Sequence, residues 1–154
     1  MLLLLACQSS SLTDLQDAFH HASESTGVPY EILVATSYEI SRFNQRDGAE
    51  NREKGIGIMN LRNDVAFPAL ADAASLVDLS VEDVVDDPEN SILAGAALMA
   101  FAADQQEDWI GEPIDTLQEW YPIVAAWSGS SDPLVADGFA ADVFDWIQGG
   151  LNVV

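Results

Sequence analysis

Ser37-Tyr38-Glu39-Ile40-Ser41-Arg42-Phe43 and Gly55-Ile56-Gly57-Ile58-Met59-Asn60-Leu61 are the two stretches whose reading decides the fold. The first closes an apolar pattern with Ile32, Leu33, Ala35 and Ile40 at helical spacing. That pattern predicts a helix opened by Pro29, which suits a first turn, and ending near Arg42. The second stretch lies where helical periodicity fails, from Asn44 to Asn63, among charged residues and Gly48, Gly55 and Gly57. A long loop inside a compact domain is usually functional. A short strand or hairpin fits within it.

Outward from this centre the chain reads as helices. Leu12 to Thr26 places Leu15, Phe19 and Ala22 on one face, with Thr13 suited to cap it and Gly27 to end it. Ala69 to Val77 is alanine-rich, and Ser80-Val81-Glu82-Asp83 looks like a capped short helix. Asp87-Pro88 opens a helix to about Asp104 with Ile92, Gly95, Ala96 and Met99 on one face. Asp115 or Thr116 starts another that reaches Trp127, kinked or broken at Pro122. Pro133 to Ile147 forms the last, with Phe139, Val143, Phe144 and Ile147 inward and Gly149-Gly150 as its stop. The expected class is all-α with one long irregular glycine-containing loop, in a single domain over 12–150, between an N-terminal leader and tether (1–11) and a short tail (151–154).

The chain has 154 residues, 49% of them hydrophobic, enough for one core without disulfides or metals. Its formal charge of −21 comes from 26 acids against 5 bases, which argues against nucleic acid and anionic lipid surfaces as partners. All five bases, Arg42, Arg46, Arg52, Lys54 and Arg62, fall in one segment with only Asp47, Glu50 and Glu53 for company. Such an island either seats an anionic ligand, such as a peptide carboxylate, or ties down the loop by ion pairs.

The single cysteine, Cys7, ends Leu4-Leu5-Ala6-Cys7, the pattern of a bacterial lipoprotein signal, and Gln8-Ser9-Ser10-Ser11 suits a short tether. Cleavage before Cys7 would leave a thiol for lipidation and place the protein in the cell envelope or periplasm, on the membrane only through its anchor. No basic region precedes the apolar run, and the run is short. The other reading is an incidental cysteine at a chain end. No cofactor is expected: His20 and His21 are adjacent and diverge by about 100° on a helix, and no metal-ligand cluster or phosphate loop is present.

Four segments in fixed order remain: the two already quoted, Asp87-Pro88-Glu89-Asn90-Ser91-Ile92-Leu93-Ala94-Gly95-Ala96, and Val124-Ala125-Ala126-Trp127-Ser128-Gly129. Together they resemble the lysozyme-like domain of soluble lytic transglycosylases. They are more similar still to the lysozyme-like domains that precede amidase domains in bacterial N-acetylmuramoyl-L-alanine amidases. The resemblance covers about Leu15 to Gly149. It implies a groove for peptidoglycan glycan strands, with Ser41, Arg42, Met59, Asn60, Trp127 and Ser128 as glycan-binding residues and a cell-wall amidase as a partner. The aromatic residues Trp120, Tyr121 and Trp127 are either core or sugar platform.

In that family a glutamate before the serine acts as general acid, and the sugar's own 6-hydroxyl closes on the anomeric carbon, so no second carboxylate is needed. Here Ile40 stands at that position, with Glu39 one residue early. The shift turns the carboxylate by about 100°; only a π-bulge would turn it back. Three readings follow: a glycan-binding domain with a degenerate catalytic site, an active lytic transglycosylase using Glu39, and a helical protein-interaction domain.

Overall fold

The computed structural model describes residues 12–151. The protein is mostly helical. Helix α1 (Leu12–Thr26) is followed by α2 (Tyr30–Ser41), capped at its start by Pro29. The loop contains a 3-10 turn (Arg46–Gly48) and the strands β1 (Gly55–Ile56) and β2 (Leu61–Arg62), an antiparallel pair in which Ile56 faces Leu61. The short hairpin thus exists, two residues to a strand. Then come α3 (Leu70–Leu76), α4 (Val81–Asp86), α5 (Pro88–Ile110), a 3-10 turn (Leu117–Trp120), α6 (Tyr121–Trp127) and α7 (Pro133–Gly149).

Helix α5 is the spine. Ile92, Gly95, Ala96, Met99 and Ala103 are buried at helical spacing, and α1, α3 and α4 pack on it, while α2 and α6 pack on α7. Gly95 is required by close approach: a Cβ there would lie 2.6 Å from Met59 Cγ. This contact presses the hairpin turn onto the spine.

The helix ends obey local chemistry. Ser80 accepts from the Asp83 amide, Asp87 from that of Glu89 and Asp132 from that of Leu134, each satisfying a free N–H of a first turn. Pro122 breaks the expected 115–127 helix into a 3-10 turn and α6. Two expectations are corrected. Helix α1 already includes Thr13, since it starts at Leu12. Helix α5 runs past Asp104 to Ile110, because its stop is Gly111, left-handed at φ 78 and bonded to the Glu107 carbonyl. No described helix is long and apolar enough to cross a membrane. Cys7 and its lipobox-like run lie outside the described residues.

Candidate functional site

The site is built at the C-terminus of α2, where the chain leaves the helix through Arg42 (φ 53) and Phe43 (φ 60). Both have left-handed backbone, which costs a non-glycine residue roughly 1–2 kcal/mol. Among the described residues, six of the seven non-glycine residues with positive φ lie from Arg42 to Asn60, so the strain is concentrated in this loop. Strain of this kind persists only where surrounding structure enforces it, and it clusters at functional positions.

Side chains from several elements enforce it. The Ser41 hydroxyl lies 2.8 Å from the Ser37 carbonyl and 2.7 Å from that of Ile58, and its one proton serves either, which ties the helix end to the hairpin turn. The Gln45 amide donates to the Val85 carbonyl and accepts from the Ile58 amide, joining loop to α4. Asn51 Oδ1 accepts from the amides of Glu53 and Gly55, closing the tight turn that carries Arg52 and Lys54. Asn51 Nδ2 donates to Asn60 Oδ1. Gly55 is needed there, because a Cβ would stand 1.7 Å from that oxygen. From the end of α6 the Trp127 indole donates to the Met59 carbonyl over 2.9 Å.

These ties leave a cleft of about 190 Å³ lined by Ile40, Ser41, Arg42, Asn44, Arg46, Asn51, Gly55 and Gly57. Its lining includes two arginines, Arg42 and Arg46, and the amides Asn44 and Asn51, and no carboxylate; the Arg42 guanidinium itself turns toward Glu39. Asn44 and Arg46 also line a neighbouring recess that includes Asp47, Asp86 and Asp87.

Glu39 is elsewhere. Its carboxylate accepts from the Trp146 indole at 2.6 Å and from Arg42 Nη1 at 3.3 Å, in a recess it shares with Asp142 and Asp145 of α7. Arg42 in turn lies over the Tyr38 ring at 4.6 Å. Helix α2 is α-helical throughout, without the π-bulge that would redirect Glu39. Consecutive positions thus face different recesses, with Ile40 toward the loop and Glu39 toward α7.

The other candidates divide. Ser41 and Arg42 are at the cleft, while Ser128 is half-buried and accepts from the Ser130 amide. Met59 and Trp127 are wholly buried and Asn60 is 1% exposed. As direct glycan contacts these three are corrected. Full burial of a side chain of the size of Met59 is worth about 1.5–3 kcal/mol, and presenting it or Trp127 to a sugar would forfeit that. They hold the cleft from behind. Trp120 is also core, whereas Tyr121 is half-buried and donates from its hydroxyl to Asp137. Sequence reasoning missed Gln45 and Asn51, since nothing in their spacing marks an amide that bridges two turns. Among the described residues no group of three or more His, Cys, Asp or Glu is placed to hold a metal ion.

Set against known proteins, the chain matches no family model, no curated protein and no solved structure.

Proposed function

We propose that this is a lysozyme-like domain of the bacterial cell envelope that binds peptidoglycan without cutting it. One observation carries the reading: Ile40, and not Glu39, lines the cleft at the end of α2. A general acid must reach the scissile oxygen within hydrogen-bond distance. The cleft offers side chains that bind and none that donates a catalytic proton from a carboxyl group. On the same reading the protein is exported and anchored through Cys7, and it serves a cell-wall amidase by holding it to its substrate.

The test is incubation of the natural protein with purified peptidoglycan. Co-sedimentation without release of soluble muropeptides is expected, and Glu39→Gln leaves that result unchanged. Release of anhydro-muropeptides that disappears in Glu39→Gln makes the protein a lytic enzyme instead. Failure to co-sediment turns attention to a protein partner. Localisation has its own test: Cys7→Ser should release the protein from the membrane fraction, and wild-type protein found wholly in the cytosol sinks the anchor.

A further inference from the structure

The charge on the cleft is opposite to that of the rest of the molecule. Of the four recesses described, the Ile40 cleft alone is lined by basic side chains with no acid. It belongs to a chain with 26 acids and 5 bases, in which a cation should find an ion pair easily. Two do: Arg42 with Glu39, and Arg62 with Asp64 at 2.8 Å. Among the described residues Arg46, Arg52 and Lys54 form no ion pair. All three are exposed; Arg46 lines the cleft, and Arg52 and Lys54 flank the exposed Glu53 on the turn between Asn51 and Gly55, which line it too, so the turn keeps a net positive charge.

Backbone conformation adds an independent sign. Arg46 (φ 54) and Lys54 (φ 64) stand in left-handed positions that glycine would occupy without steric cost. The chain carries long cations there instead, and among the described residues neither is held in an ion pair.

We propose that the cleft reads carboxylate: Arg46, with Arg52 and Lys54 at the rim, seats the anionic appendages of the wall polymer, and its neutral sugars are secondary. This rests on the peptidoglycan reading and specifies its ligand. Two sources share the chemistry. One is the carboxylates of the peptides attached to the glycan; the other is the lactyl carboxylate bared where a peptide has been removed.

The experiment compares co-sedimentation with intact peptidoglycan, with peptide-free glycan strands and with chitin, which has a neutral β-linked backbone. The proteins are the wild type, the triple variant Arg46→Glu, Arg52→Glu, Lys54→Glu, and the single variant Arg46→Gln, each checked for folding by circular dichroism. Binding to at least one anionic polymer should exceed binding to chitin by about tenfold or more, weaken as salt screens the charges, and fall by a similar factor in the triple variant. Arg46→Gln should weaken it by a smaller factor, and it decides the matter should the triple variant not fold. Intact polymer alone assigns the peptide carboxylates, and peptide-free strands alone assign the lactyl group. Chitin bound as tightly as peptidoglycan, or a folded variant that binds like the wild type, overturns the carboxylate proposal and leaves the peptidoglycan reading standing. Binding to none of the polymers defeats both.

Discussion

The Trp146 indole donates to the Glu39 carboxylate over 2.6 Å, joining α7 to the end of α2 across 107 residues. The bond gives the Glu39 carboxylate a structural task. Tyr38 packs edge-on against the same indole, with ring centroids 4.9 Å apart. Trp146→Phe keeps most of the ring contact and removes the donor. We expect a loss of about 1.5–3 kcal/mol in urea unfolding, the range for a hydrogen bond to a charged group. Unchanged stability would show that the bond contributes nothing.

Gly55→Ala and Gly95→Ala both drive a methyl group into an occupied volume, against Asn60 Oδ1 at 1.7 Å and Met59 Cγ at 2.6 Å. Neither neighbour gives way easily: Met59 is wholly buried and its Cβ also stands 2.8 Å away, and Asn60 is buried and bonded to Asn51. Overpacking costs about 1–3 kcal/mol. Both variants belong at or above the high end of that range. Guanidinium unfolding checks this, and a variant as stable as the wild type would refute it.

Acid should weaken the fold partly through two surface carboxylates. Asp64 is held below its ordinary value, first by the side-chain hydrogen bond from Arg62. Glu119 is held low by the backbone amides of Thr116 and Asp115. A carboxylate depressed on folding contributes stability that is present above its unfolded value, here 3.8 for Asp64 and 4.5 for Glu119, and lost as pH falls through the lower folded one. Asp64→Asn and Glu119→Gln should therefore flatten the decline of the urea midpoint below these values. Acid limbs as steep as the wild type's in both variants would show that the depression is absent.

Salt should act in the opposite sense. A charge of −21 on 154 residues repels itself in the compact state. Screening lengths fall from about 30 Å at 0.01 M to about 3 Å at 1 M. The melting temperature should rise by several degrees over that range. A flat or falling Tm would place the acids where their mutual repulsion does not matter.

Helix positions were legible wherever a local signal sets them. Asp87-Pro88, Ser80 and Pro122 act through their own backbone geometry, which requires no knowledge of the rest of the chain. The end of α5 was missed because Asp104 to Asp108 is polar on every side, and polarity mimics a loop until Gly111 is recognised as the stop. That Glu39 and Ile40 face different recesses was legible too, because the rotation per residue is fixed by helix geometry. The burial of Met59, Asn60 and Trp127 was not. Whether a turn residue faces solvent or the spine depends on Gly95, distant in sequence and small enough to admit it.

A hairpin with two residues to a strand is too short to persist alone in water. This one is fastened at its turn by Trp127, which arrives 68 residues after Met59. A chain emerging from synthesis passes through a long interval with the cleft's own residues present and the cleft itself unmade. Its order of assembly places the cleft last: the hairpin cannot be fastened until α6 has come into place.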